Sequence, residues 1–220
     1  MTELVGAVSA FLLFHAIAAL NPLRTRIVGA IGETAYIIAF SVVSLALAVW
    51  VAVAFGKAPY IELWPYNPTL RWIPLTIMPV ACILIVAGLS TPNPFSLGAG
   101  SARFDPNRPG IVAVTRHPAL WGLTLWSAAH IPVNGDLAAV ILFGPLTLLG
   151  LAGPTSLDAK RRRSLGTEAW NELTRRTAAT RRSAAMTQTG AVRLLGGILL
   201  YVGLLALHGP VIGVSPLPVD

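Results

Sequence analysis

The stretch AYIIAFSVVSLALAVWVAVAFG, residues 35–56, runs for 22 residues without a charged side chain. The hydrocarbon core of a bilayer takes roughly 17–25 mostly apolar helical residues to cross, so this stretch predicts a transmembrane helix. Blocks of similar length recur, and we predict about six spans, at residues 4–20, 35–56, 72–90, 111–132, 137–153 and 191–208. The chain is 55% hydrophobic and only 11% charged, which is typical of a membrane protein. The predicted fold is an all-α, polytopic transmembrane helical bundle forming a single domain over residues 1–220.

Basic residues are distributed unevenly between the two sides that these spans define. The formal charge is +7, and a surplus of this size indicates either nucleic-acid binding or a membrane surface. Threading the six spans leaves Lys57 and Arg71 on one side and puts all other basic residues opposite them, namely Arg24, Arg26, Arg103, Arg108, Arg116, Lys160, Arg161, Arg162, Arg163, Arg175, Arg176, Arg181, Arg182 and Arg193. This is the positive-inside pattern. It predicts that both termini lie outside the cytoplasm and that membrane lipid, not nucleic acid, is the partner of the basic residues.

Two longer connections are expected on the basic side. The first, TPNPFSLGAGSARFDPNRP at residues 91–109, is rich in Pro, Gly and Asn and predicts a loop, either structured or flexible. The second, residues 158–186, predicts a basic amphipathic helix punctuated by Gly166, lying on the headgroups or packed under the bundle as a lid. The only cysteine, Cys82, lies within a span, which excludes an internal disulfide and indicates core packing.

Histidines are the ionisable residues that fall deepest in the predicted spans. His15 lies in the first span, His117 and His130 bracket the fourth, and His208 closes the sixth. His117 and His130 are thirteen residues apart, about 20 Å along a helix, so they cannot share one metal ion. A pair of axial haem ligands would therefore combine two helices, and His15 is the other deep histidine. The alternative is that each histidine bonds a carbonyl or hydroxyl of a neighbouring helix.

The motif Thr115-Arg116-His117-Pro118 lies where a basic loop enters the fourth span. Proline suits the first turn of a helix, where its missing N–H costs nothing. Arg116 beside that helix N-terminus predicts a site for a propionate, phosphate or carboxylate. The alternative is an arginine that snorkels to the headgroups.

Three segments carry a resemblance to a known family: FLLFHAIAALNPLR at residues 11–24, TRHPALWGLTLWSAAHIPVNGD at 115–136 and DAKRRRSLGTEAWNELTRRT at 158–177. Together they resemble the NnrU family of bacterial inner-membrane proteins, which is associated with denitrification and nitric oxide metabolism and is similar to the plant 15-cis-ζ-carotene isomerase, a haem b enzyme. The resemblance implies His15 and His130 as the axial metal ligands, with Arg116 and His117 as further cofactor-binding residues. Ser127 stands where the isomerase has a cysteine, which argues against a thiolate ligand switch. A variant pairs His15 with His117.

The same block is similar to isoprenylcysteine and phospholipid methyltransferases, in which an RHPxxxG element helps to enclose S-adenosylmethionine. Arg116, His117, Pro118 and Gly122 match that element. These methyltransferases also have a basic C-terminal segment, and Glu168 corresponds to the acidic residue of that segment. Three functions are therefore predicted. The first is haem b binding with redox or isomerase-like chemistry on a hydrophobic small molecule, the second is membrane methyl transfer, and the third is non-enzymatic sensing of haem or nitric oxide.

Overall fold

The computed structural model describes residues 1–18, 21–96 and 103–218. Within these ranges the chain is helical, apart from turns and one isolated bridge between Glu62 and Asp136. Nine α-helices are described there: α1 Thr2–Ala18, α2 Asn21–Ile31, α3 Glu33–Gly56, α4 Trp72–Ser90, α5 Pro118–Asn134, α6 Leu137–Leu165, α7 Thr167–Ala178, α8 Arg182–Thr189 and α9 Ala191–Ile212. Short 3₁₀ turns at Pro68–Arg71 and Gly110–Ala113 precede α4 and the loop into α5. The predicted all-α class is confirmed for the described residues.

Four helical stretches of the described chain are long and apolar enough to cross a membrane: Glu33–Gly56, Pro68–Ser90, Leu137–Leu165 and Ala191–Ile212. A fifth results if α1 and α2 form one bent span. The chain thus has several membrane-span-like helices, and the predicted number of six stays a prediction. The fourth predicted span begins later than expected. Residues 111–117 form a 3₁₀ turn and a loop, and α5 starts only at Pro118 because proline is accommodated in a first helical turn.

Helix α6 runs twelve residues beyond the predicted end of the fifth span at residue 153 and ends at Leu165, although it contains Pro145 and Pro154. The basic run at residues 160–163 therefore belongs to the last turns of α6 and not to a separate amphipathic helix. Gly166, with φ of 84°, separates α6 from α7 and confirms the predicted break. In α7, Trp170 and Thr177 are buried while Arg175 and Arg176 are exposed. The predicted contact between the basic face of α7 and the lipid headgroups stays a prediction.

The chain forms two compact units, and the first comprises residues 1–65 and 135–142. Its core is formed by Leu4, Ala7 and Val8 of α1 with Ala54 of α3 and Ala138 at the start of α6. The segment after α3 is held to the start of α6 by backbone hydrogen bonds, which Leu63 and Trp64 donate to the carbonyl of Gly135. Gly135 has φ of 68°, a left-handed conformation that favours glycine.

The second unit comprises residues 66–134 and 143–220, and α4 lies at its centre between α5 and α9. Small residues bring these helices together: a Cβ on Gly122 of α5 would lie 2.7 Å from the carbonyl oxygen of Ala81. A Cβ on Gly197 of α9 would lie 2.5 Å from the Cα of Ile83. Cys82 is fully buried beside Ala81, which confirms its predicted packing role. Close approach through small residues is the usual way in which helices associate in lipid.

We expect Gly197→Ala to separate α9 from α4, because the new methyl group would meet backbone of Ile83 and not a movable side-chain end. The free energy of unfolding should fall by about 1–3 kcal/mol, the usual cost of overpacking. The matched control is Gly203→Ala in the same helix, where a Cβ meets nothing within 4 Å. Thermal unfolding of the detergent-purified protein measures both variants. Equal midpoints for the two would show that α9 does not pack on α4 as described.

Candidate functional site

Arg116, His117 and Asp158 form a polar cluster within the second unit. The Arg116 guanidinium donates to both carboxylate oxygens of Asp158, from Nη2 to Oδ2 at 2.5 Å and from Nε to Oδ1 at 3.4 Å. His117 donates from Nε2 to Oδ1 of the same carboxylate at 2.8 Å. One carboxylate from α6 therefore binds two consecutive side chains that precede α5. The bidentate geometry is the strong form of an arginine–carboxylate pair.

The backbone around Arg116 is held by a buried asparagine of the loop after α4. Asn93, 2% exposed, donates from Nδ2 to the carbonyl oxygen of Arg116 at 2.9 Å. Its Oδ1 accepts the backbone N–H groups of Phe95 and Ser96 at 2.9 and 3.2 Å. Both ends of the amide are thus satisfied, as a buried polar group requires. The described part of the predicted loop at residues 91–109 is structured here, and residues 97–102 lie outside the described residues.

His117 lies before the first residue of α5, and its side chain is only 3% exposed. Its Nδ1 is buried and has no hydrogen-bond partner in the described part of the chain. Burial lowers the pKa of His117 below its ordinary value of 6.5, and the hydrogen bond to Asp158 opposes this only in part. The imidazole is therefore neutral near pH 7, with the proton on Nε2 and a lone pair on Nδ1.

A cavity of about 360 Å³ opens beside this cluster. It is lined by Arg116, Asp158, Ala159, Arg162, Trp170 and Thr174. The Arg116 guanidinium lies 5.9 Å from the centre of the Trp170 ring, within the range of a cation–π contact. Trp170 packs in turn against Phe95, at 5.3 Å between ring centres. The Thr174 hydroxyl is buried without a partner among the described residues.

His15 lies in the first unit, where both of its ring nitrogens are engaged. Nδ1–H donates to the carbonyl oxygen of Phe11 at 2.8 Å, and the remaining nitrogen, Nε2, accepts the hydroxyl of Ser44 of α3 at 3.0 Å. The rings of Phe11, Phe14 and Phe40 lie 4.2–5.6 Å from the imidazole, measured between ring centres. The His15–Ser44 hydrogen bond joins α1 to α3. It corresponds to the alternative in which a deep histidine bonds a hydroxyl of a neighbouring helix.

His130 lies in the second unit and also donates Nδ1–H to the carbonyl four residues earlier, that of Trp126, at 2.7 Å. Its Nε2 has no hydrogen bond to any residue of the described ranges. The Trp126 and Phe143 rings lie 5.9 and 5.2 Å from the imidazole. Ser127 is fully buried and accepts the Thr147 hydroxyl of α6 at 2.9 Å. The serine at this position thus joins α5 to α6.

The structure brings together some of the predicted site residues and not others. Arg116 and His117 share one carboxylate. His15 lies in the first unit and His130 in the second, so their joint ligation of a haem stays a prediction. His208 is half-buried and donates from Nδ1 to the Val214 carbonyl. No group of three or more His, Cys, Asp or Glu side chains suited to a metal ion occurs among the described residues.

Two further residues that match the methyltransferases, Gly122 and Glu168, do not line the cavity. Gly122 packs against α4, where a Cβ would also meet Ile85. Glu168 is exposed in the first turn of α7.

Sequence reasoning missed Asp158 of the cluster, and it also missed Asn93 and Thr174 beside the cluster. Asp158 had one detectable signal, because it is a lone acidic residue between the end of an apolar run and the basic run at 160–163. A carboxylate at this position is followed by basic residues and preceded by a lipid-facing apolar run, so a cationic partner was to be expected. Asn93 and Thr174 carried no comparable signal.

We expect the stability of the protein to fall as the pH falls below about 6.5. With the folded-state pKa of His117 lowered, the unfolded chain takes up the proton first, so the stabilisation present above pH 6.5 is lost as the pH falls towards the folded-state value. One proton imposes at most about 1.4 kcal/mol per pH unit. Thermal unfolding between pH 7.5 and 5.5 should therefore depend less on pH in His117→Gln than in the wild type. Arg163→Gln controls for net charge, and an unchanged slope in His117→Gln would contradict the assignment.

Comparison with known proteins gives one match. No curated protein and no solved structure matches the chain. The family described as NnrU protein matches residues 3–216, which is nearly the whole chain and includes all three polar residues of the cluster. The chain therefore belongs to the NnrU family.

Proposed function

We propose that this NnrU-family protein binds haem b, with His15 and His130 as the iron ligands. The observation that carries the proposal is shared by both histidines: each donates Nδ1–H to the backbone carbonyl four residues before it. An iron-ligating histidine commonly donates its second nitrogen to a carbonyl, which fixes the tautomer and leaves the lone pair on Nε2. The carbonyl partners of His15 and His130 thus place the proton on Nδ1 and the lone pair on Nε2 in both side chains.

The donor set and its surroundings suit the cofactor. Neutral imidazole is an established axial ligand of haem iron, and aromatic rings at each histidine offer apolar surfaces for a planar macrocycle. His130 offers Nε2 directly. His15 must exchange the Ser44 hydroxyl for the metal, at the cost of one hydrogen bond.

Haem, when bound, supplies redox chemistry and a site for small gases. The resemblance to the family implies a link to denitrification and nitric oxide metabolism, and the similar carotene isomerase implies isomerase-like chemistry on a hydrophobic molecule. Enzyme and non-enzymatic nitric oxide sensor are both compatible with such a cofactor. We further propose that the protein lies in the bacterial inner membrane, with residues 158–186 in the cytoplasm and both termini outside it. Charge asymmetry supports this orientation.

We expect detergent-purified protein to show a low-spin Soret band with resolved α and β bands after expression with haem or reconstitution. His15→Ala and His130→Ala should each lose this spectrum because each removes one axial ligand. The matched control is His208→Ala, which removes a half-buried histidine whose Nδ1 is bonded to the Val214 carbonyl, and this variant should keep the bands. A wild-type protein that stays colourless after reconstitution, or bands that survive both ligand substitutions, would reject the proposal.

The second candidate is a membrane methyltransferase that uses S-adenosylmethionine. A specific observation favours it: Arg116 of the RHPxxxG element lines one cavity together with Arg162, Trp170 and Thr174 of the following basic segment. An arginine suits the carboxylate of that cofactor, and an indole face suits adenine.

If this candidate is right, colourless protein should bind S-adenosylmethionine in calorimetric titration. Trp170→Phe keeps an aromatic ring against Phe95 but reduces the stacking surface, so the affinity should fall severalfold. Trp50→Phe, at an exposed position of α3, is the control. Absence of binding by the wild-type protein would reject the methyltransferase and leave haem binding untouched.

A further inference from the structure

The cavity beside Arg116 lies at the junction between apolar and basic parts of α6. The helix is apolar through the predicted span at residues 137–153, and the basic run at 160–163 follows within two turns. Asp158, Ala159 and Arg162 of this junction line the cavity. In a membrane-spanning helix, the change from apolar to basic residues marks the level of the lipid headgroups. The cavity is therefore at the level of a phosphate group.

The net charge of the residues that line the cavity favours a ligand with a single negative charge. The Asp158 carboxylate neutralises Arg116, and burial keeps His117 neutral near pH 7. Arg162 is exposed and adds one positive charge. The formal sum over Arg116, Asp158 and Arg162 is +1, which a single phosphodiester would cancel.

The lining also offers hydrogen-bond donors that the protein itself leaves unused. Asp158 takes the Nε and Nη2 groups of Arg116, and Nη1 has no hydrogen bond to a described residue. The Arg116 side chain is 40% exposed, so this nitrogen is accessible. The unpartnered hydroxyl of Thr174 is a second donor, and Arg162 is a third. Arginine and hydroxyl donors around one space are the usual surroundings of a bound phosphate.

From these observations we infer that the cavity binds a phosphate monoanion, carried by an anionic phospholipid headgroup or by a soluble phosphate ester. Arg116 and Arg162 hold the phosphate oxygens, the Thr174 hydroxyl donates to one of them, and the Trp170 ring closes one wall. A volume of about 360 Å³ is within the range of ligand pockets and is large enough for a phosphate headgroup. The site requires no haem and goes beyond the proposed function.

The experiment uses the full-length, haem-free protein in a neutral detergent. Native mass spectrometry measures the dissociation constants of dioleoyl phosphatidylglycerol and dioleoyl phosphatidylcholine, and titration calorimetry measures that of glycerophosphoglycerol, the soluble phosphodiester that remains when phosphatidylglycerol loses its acyl chains. We expect phosphatidylglycerol to bind at least about tenfold more tightly than phosphatidylcholine, because the choline cation of phosphatidylcholine cancels the charge of its phosphate and is repelled by the positive lining. Arg162→Gln should remove most of this preference, and Thr174→Val should weaken it severalfold.

The control is Arg163→Gln, which removes the same charge from the neighbouring position but does not line the cavity. It should change the affinity less than twofold. Glycerophosphoglycerol that binds as tightly as phosphatidylglycerol, and loses affinity in Arg162→Gln, would assign the same site to a soluble ester. Equal losses in Arg162→Gln and Arg163→Gln, or binding of neither phosphatidylglycerol nor glycerophosphoglycerol more tightly than phosphatidylcholine, would overturn the inference. Because all of these measurements use haem-free protein, they fail or succeed independently of haem binding.

Discussion

Asp158 accepts hydrogen bonds from both Arg116 and His117, and this one carboxylate determines the arrangement of the cluster. It fixes the direction of the guanidinium and the tautomer of the imidazole at the same time. Removing one partner of a buried ion pair costs roughly 3–5 kcal/mol, and the partial exposure of Arg116 reduces that figure here. The loop before α5 is thereby held to α6, forty-two residues away in sequence.

The apolar surroundings explain the hydrogen bonds that polar side chains of the second unit make with one another and with the backbone. Lipid offers no hydrogen bonds, so each polar side chain near the spans must find a partner in the protein. Asn93 satisfies a carbonyl and two backbone N–H groups, and Ser127 joins Thr147 across α5 and α6. Four buried polar atoms of this unit have no partner among the described residues: the hydroxyls of Thr91, Ser96 and Thr174 and the Nδ1 of His117. Of these residues, Thr174 lines the cavity beside Arg116.

The sequence predicted those parts of the fold that depend on local composition. The predicted span at residues 72–90 coincides with α4, and that at 35–56 differs from α3 by two residues, because apolar length alone defines them. The end of α6 was missed because the predicted span ended at residue 153, whereas the helix continues through Pro154 into the basic run. The pairing of Arg116 with Asp158 had no local signal, since it depends on how α6 packs near α5.

The Asp158 carboxylate also changes what Arg116 can do for a ligand. From the sequence, Arg116 beside a helix N-terminus was predicted to bind a propionate, a phosphate or a carboxylate. Once paired, it adds almost no net charge to the cavity, and the positive charge available to an anion comes from Arg162 on the next turn of α6. What Arg116 retains is direction, because two of its nitrogens are held by Asp158 and the third is thereby oriented. The affinity for an anion at this site is therefore more sensitive to the charge of Arg162 than to that of Arg116, and its geometry depends on Asp158.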